Sequence, residues 1–121
     1  MGTNAANDRR VDYVELATHD TGATKVFYGA VMGWKFEDYG PGYTCFNDGR
    51  LGGGFTTDRK AASGVGPLVV LYVSDLEAAE KRVRDAGGRI VKPTFSFPGG
   101  RRFHFTDPSG NELAIWSEER S

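Results

Sequence analysis

Residues 68–88 read Leu-Val-Val-Leu-Tyr-Val-Ser-Asp-Leu-Glu-Ala-Ala-Glu-Lys-Arg-Val-Arg-Asp-Ala-Gly-Gly, and this stretch decides the fold. Its first six residues form a nearly continuous apolar run, the mark of a buried strand. Asp75 then stands where a helix N-cap belongs. Leu76, Ala79, Val83 and Ala86 follow at helical spacing, and Gly87-Gly88 ends the segment. The same order occurs upstream. A β-branched and aromatic run at 11–16 is followed by an N-cap at Asp20, an apolar stripe of Ala23, Phe27, Ala30 and Val31, and a closing Gly33. The two N-caps lie 55 residues apart. Three short strands are expected after each helix, at 34–38, 43–46 and 51–55, and again at 89–92, 101–106 and 111–117. The first set is separated by Gly-Pro-Gly and Asn-Asp-Gly, and the last pair of the second set is joined by Asp-Pro-Ser-Gly at 107–110, all turn-forming sequences. The pattern β-α-β-β-β therefore occurs twice, as a repeat of pattern more than of letters.

This gives an α+β fold of two βαβββ modules: 11–56, then a polar, glycine-bearing linker at 57–66, then 67–117. Together they form one domain over 11–121, preceded by a flexible arm at 1–10. The chain has 121 residues, 39% hydrophobic and 26% charged, which is an ordinary globular balance. With 15 Lys and Arg against 16 Asp and Glu, it offers no electrostatic footprint for nucleic acid or anionic lipid. No apolar run reaches membrane-spanning length and the start lacks a signal-peptide core, so the expectation is a cytoplasmic protein without nucleic-acid or membrane partners. Cys45, the single cysteine, excludes an internal disulfide and a cysteine-based zinc site. Without a nearby base it reads as a buried structural thiol. The 17 glycines are about twice the usual share.

Five segments in this order resemble the vicinal oxygen chelate superfamily, which includes glyoxalases, bleomycin-binding resistance proteins and extradiol dioxygenases. They are Val-Glu-Leu-Ala-Thr-His-Asp at 14–20, Phe-Tyr-Gly-Ala-Val-Met-Gly-Trp at 27–34, Val-Ser-Asp-Leu-Glu-Ala-Ala at 73–79, Asp-Ala-Gly-Gly at 85–88, and Phe-His-Phe-Thr-Asp-Pro-Ser-Gly-Asn-Glu-Leu-Ala-Ile-Trp at 103–116. The resemblance implies curled mixed sheets facing each other around a cavity, with the helices outside and a homodimer as the usual assembly.

Metal-dependent members of that family bring four ligands together from the outer strands of both modules. Carried over position by position, the first falls on Tyr13, the second within Gly52-Gly53-Gly54, the third on Leu68 and the fourth on Ala114. Leucine, alanine and glycine have no side-chain donor, so the usual quartet is missing and no metal or other cofactor is expected at it. A non-standard site stays open. Strand alternation puts Glu15 on the face of Tyr13 and Glu112 on the face of Ala114, with His104 in the neighbouring strand. These three could hold a metal or perform acid–base chemistry. Equally, the carboxylates could bond backbone or solvent while His104 packs as a satisfied core histidine.

Trp116 shares the face of Ala114 and Glu112, and with Tyr13 it is a candidate ring for a ligand wall. Arg101 and Arg102, in a Gly/Pro-rich stretch at 97–102 equivalent to 38–42, could anchor an anionic group at a mobile rim. His19 reads as exposed loop. The glycine triplet reads as allowing close backbone approach or a strongly bent strand beside the cavity. Two functions follow. One is metal-free binding or sequestration of a small organic molecule, although near-neutral charge disfavours a strongly basic drug. The other is a lyase, isomerase or dioxygenase-type enzyme built on Glu15, His104 and Glu112.

Overall fold

The structure, a computed structural model, describes residues 6–118. The elements run β1 (Tyr13–Ala17), α1 (Thr21–Met32), β2 (Phe36–Asp38), β3 (Tyr43–Asn47) and β4 (Gly52–Thr56). They continue as β5 (Val69–Tyr72), α2 (Leu76–Asp85), β6 (Arg89–Phe97), β7 (Gly100–Thr106) and β8 (Glu112–Glu118). The expected βαβββ order thus appears twice. Each module makes a four-stranded mixed sheet of identical topology, β1-β4-β3-β2 and β5-β8-β7-β6, in which the first strand pairs parallel with the last.

Both helices start as the sequence dictates. Asp20 and Asp75 are extended, and their carboxylates accept from the backbone N–H of Ala23 and Ala78. Each cap contributes about 1 kcal/mol. Gly33 closes α1 in the left-handed region at φ 73°, where a side chain would be strained.

The apolar stripes of the helices meet in one core shared by the modules. Phe27, Tyr28 and Val31 of α1 and Phe55 of β4 lie in one cluster with Leu76, Ala79 and Val83 of α2, Phe103 and Phe105 of β7, and Leu113 and Ile115 of β8. Burial of each large apolar side chain stabilises by about 1.5–3 kcal/mol. In the first module Tyr28, Trp34 and Phe46 stack in sequence, with ring centroids 5.3 and 3.9 Å apart.

A buried polar tie crosses between modules. Asp107 takes hydrogen bonds from the Tyr28 hydroxyl (2.8 Å), the Asn111 amide (2.9 Å) and the backbone N–H groups of Ser109 and Asn111. The Asn111 amide also donates to Ala17 O of β1 at 2.7 Å. The Asp-Pro-Ser-Gly-Asn turn therefore does more than reverse the chain. It binds α1 and β1 to the second sheet.

Three expectations are corrected. The sheets do not close around a cavity: the helices cover one face of each, and the opposite faces stay open. The stretch 97–102 is not a loop, because β6 runs to Phe97 and a two-residue turn at Pro98-Gly99 leads into β7. The strand expected at 89–92 runs on to Phe97 through Pro93, which lies in the edge strand of its sheet inside the second of two register shifts, where a missing N–H is tolerated. Residues 1–5 of the expected arm lie outside the described residues, while Arg10 N–H bonds Asn7 O in a short exposed turn.

Candidate functional site

The two open faces are built by alternation from the same strands that supply the core. On the first sheet, Leu16, Thr44, Phe46 and Phe55 face the helices. Tyr13, Glu15, Cys45, Glu37, Gly52 and Gly54 face outward. The hydroxyls of Tyr13 and Tyr43 meet at 2.5 Å directly above Gly54, with the Glu15 carboxylate near enough to Tyr43 to act on its phenol. A Cβ on Gly54 would fall onto both hydroxyls, and one on Gly53, facing the other way, would fall into the ring of Phe46. The triplet thus serves close approach by side chains, not by another backbone. Burial, then the bond with Tyr13, pushes the Tyr43 phenol far above its ordinary range. Cys45 is half-buried on this face beside Glu37, so the expectation of a buried core thiol is corrected. Burial, reinforced by Glu37, raises its thiol above the usual range.

On the second sheet, Phe103, Phe105, Leu113 and Ile115 face the helices, so their alternates face outward. These are Arg102, His104, Glu112, Ala114 and Trp116, joined by Tyr72 and Val70 of β5 and Phe95 and Phe97 of β6. His104 lies opposite Ala114, which fixes the register that sequence alone leaves open. His104 Nδ1 meets Glu112 Oε2 at 2.8 Å, and the Ser63 hydroxyl donates to Glu112 Oε1 at 2.7 Å. The linker therefore folds back to hold this carboxylate. The bond from His104, then that from Ser63, holds Glu112 below the usual carboxylate range.

Aromatic rings frame the pair. Trp116 sits 5.2 Å from Tyr72 and 6.1 Å from Phe97 between centroids, and the Arg102 guanidinium lies over Phe95 and Phe97 at 5.5 and 5.7 Å. Gly100 leaves room for this packing, since a Cβ there would press on the indole of Trp116 and on Ser117 O. An open groove of about 940 Å³ is lined by Val70, Tyr72 and Trp116 together with Met32, Lys35 and Arg50. That is enough room for a small organic ligand.

The predicted site residues separate accordingly. His104 and Glu112 are in contact. Glu15 belongs to the other sheet, and among the described residues no three His, Cys, Asp or Glu side chains form a group that could hold a metal ion. Arg102 faces the open side, whereas Arg101 points to the helix side and pairs with Glu77 of α2 at 2.7 Å. His19 is exposed, and its backbone N–H bonds Ser109. Phe95, Phe97 and Tyr72 join this face, though the sequence reading did not single them out for it. The signal was strand alternation, hidden at Phe95 by the neighbouring Pro93.

The match to known proteins agrees with this topology. The family model for the Glyoxalase/Bleomycin resistance protein/Dioxygenase superfamily matches residues 10–115. The chain belongs to that superfamily. It is 27% identical over 127 residues to CFP32 of Mycobacterium tuberculosis, covering 90% of this chain and 46% of that one. It is 31% identical over 124 residues to the anthracycline biosynthesis protein DauV of a Streptomyces species, covering 86% and 45%. The chain thus spans a little under half the length of both curated relatives. A superfamily enzyme from Burkholderia phytofirmans shares the fold at TM-score 0.76 and 20% identity, over 89% of this chain and 99% of that one.

Metal-dependent members of the superfamily need four donors, and this chain does not fit them. At the first position the Tyr13 hydroxyl is engaged by Tyr43, and at the second its space lies over a glycine. Leu68 and Ala114 supply no donor at the other two.

Proposed function

We propose that the protein binds a small organic molecule without a metal, using the open face of the second sheet as its platform. The observation that carries this reading is the wall of Trp116, Tyr72 and Phe97 with the Arg102 guanidinium held over Phe95 and Phe97. Such a surface stacks planar rings and offers a cation to an oxyanion. The missing donor set supports binding that no chelated ion organises. DauV, the anthracycline biosynthesis relative, is consistent with a ligand containing fused planar rings.

The test is titration of purified protein with planar aromatic molecules in the presence of a chelator, followed by tryptophan fluorescence and backbone NMR. Binding should persist under chelation, perturb β7 and β8, and weaken at least about tenfold in Trp116→Ala. Stoichiometric divalent metal, lost from Glu112→Ala and required for binding, would overturn it.

A second reading has its own observation. A carboxylate on Nδ1 leaves Nε2 of His104 oriented as in general bases, so an isomerase or lyase step on the bound molecule is the enzymatic alternative. Turnover that vanishes in His104→Gln while ligand affinity survives would favour it over sequestration.

A homodimer belongs to the same proposal. Tyr13, Val70 and Tyr72 are 45%, 41% and 48% exposed on the open faces, a large apolar exposure for a free surface. Light scattering should give a particle of twice 13.2 kDa. A 13 kDa particle at micromolar concentration refutes this assembly.

A further inference from the structure

Two side chains on the open face of the second sheet each leave a buried polar atom without a hydrogen bond, and both lie beside one aromatic ring. His104 Nε2 and Arg102 Nε are buried without a hydrogen bond. They stand two residues apart on the same face of β7. Phe95, opposite Arg102 in register, has its ring centroid 5.5 Å from the guanidinium carbon and 5.9 Å from the imidazole centroid. Leaving a buried polar atom without a partner is costly, so two of them on one strand face, beside one ring, mark a place where a ligand group fits.

The surroundings give these two atoms complementary roles. Glu112 accepts Nδ1–H of His104, and Ser63 steadies Glu112 in turn. With the imidazole neutral and its Nδ1–H given to Glu112, Nε2 offers a lone pair, while Arg102 Nε offers an N–H. The face therefore presents an acceptor beside a donor, bordered by aromatic rings. The strand over them is the weak point of the sheet. The β6–β7 pairing shifts register between Ile90 and Lys92 and again between Lys92 and Phe95, with Pro93 inside the second shift. The β7–β8 pairing beneath runs unbroken from Gly100 to Thr106. Phe95 thus sits on the irregular strand, whereas His104 and Arg102 sit in the unbroken β7–β8 pairing.

We propose that Phe95 gates a site for a planar aromatic molecule bearing a hydroxyl next to a carboxylate or carbonyl. The hydroxyl donates to His104 Nε2, the neighbouring oxygen accepts from Arg102 Nε, and the ligand ring takes the place of Phe95. A carboxylate alone satisfies only Arg102, and an unsubstituted ring satisfies neither atom. This inference rests on the platform reading above and adds the chemistry of the ligand and the gate.

The experiment compares salicylate, 2-methoxybenzoate and benzoate on the wild-type protein and on Phe95→Ala, by NMR with ¹⁵N-labelled histidine. Removing the gate should tighten salicylate at least about tenfold, and salicylate should bind Phe95→Ala at least about tenfold better than 2-methoxybenzoate, the worth of one buried hydrogen bond. Salicylate should also shift the His104 Nε2 resonance, and Arg102→Met should weaken all three acids. Equal affinity for salicylate and its methyl ether in Phe95→Ala, or an unmoved Nε2 resonance, overturns the proposal. If naphthalene-type probes still perturb Trp116 and β8 in that event, the platform reading survives and only the gate falls. If no aromatic probe binds either protein, both fall.

Discussion

The two sheets share one topology and differ in how they settle their open faces. On the first, the hydroxyls satisfy one another: Tyr13 and Tyr43 join above Gly54, with Glu15 close by. On the second, Glu112 and Ser63 anchor one side of His104, while its Nε2 and Arg102 Nε are left without partners. The same frame thus carries one open face whose hydroxyls pair with each other and one with unused donor and acceptor capacity. The proposed ligand platform lies on the second, because among the described residues it is the open face that carries buried hydrogen-bonding capacity without a partner.

The comparison depends on the two faces being held in one molecule, and Asp107 is the residue that holds them. Asp107→Ala would strand the Tyr28 hydroxyl, the Asn111 amide and two backbone N–H groups in a buried place. A loss of about 3–5 kcal/mol is expected in urea unfolding, among the largest for any single polar residue here. A loss below about 1 kcal/mol would mean that the modules are held by apolar packing alone.

A smaller effect separates neighbours within the first sheet. Gly53→Ala drives a methyl into the ring of Phe46, which stacks on Trp34 at 3.9 Å and cannot move without disturbing the core. It should cost about 1–3 kcal/mol. Gly54→Ala meets the outer ends of Tyr13 and Tyr43, hydroxyls and the ring carbon that bears the Tyr43 oxygen, on an open face where Tyr13 is 45% exposed and able to swing out. It should cost under about 1 kcal/mol while breaking the phenol pair. Parallel denaturant curves check the difference, and the reverse order would show that the phenol pair, not the aromatic stack, organises the first module.

The residues that carry local chemistry were legible in the sequence. Both aspartate caps, the glycine stops and the doubled strand–helix order follow from short-range rules, and the structure obeys them at Asp20 and Asp75. The missing donors at Leu68 and Ala114 needed only position counting. What was hidden depended on pairing between distant strands. The face of His104 was fixed only by its register against Ala114. The roles of Arg101 and Arg102 looked alike in sequence, yet one residue of strand alternation sends the first to Glu77 and the second to Phe95. Pro93 disguised the far half of β6, because a proline at a bulge and a proline in a loop read alike. Asp107 was read as a turn residue, since nothing local announces a partner 79 positions away.

The smallest expected effect tests the carboxylate behind the second face. Its cause is the hydrogen bond from His104, followed by that from Ser63, which together hold Glu112 below the usual carboxylate range. A carboxylate with a depressed folded-state pKa stabilises the fold fully above its unfolded value, about 4.3 for glutamate, and that contribution drains away as pH falls through the folded value. Glu112→Gln removes the dependence, so its stability curve should be flatter than wild type below about pH 4.3 and parallel to it near neutrality. Tyr43 gives the contrasting case on the first face. Its phenol is raised, so its contribution is full below about pH 10 and lost as pH rises further, leaving the acid limb untouched. Tyr43→Phe should therefore alter only the alkaline side, and Glu112→Gln only the acid side. An acid limb unchanged by Glu112→Gln would mean that the carboxylate does not hold the imidazole in solution. Nε2 would then have no fixed direction, and the second face would lose the feature that distinguishes it from the first.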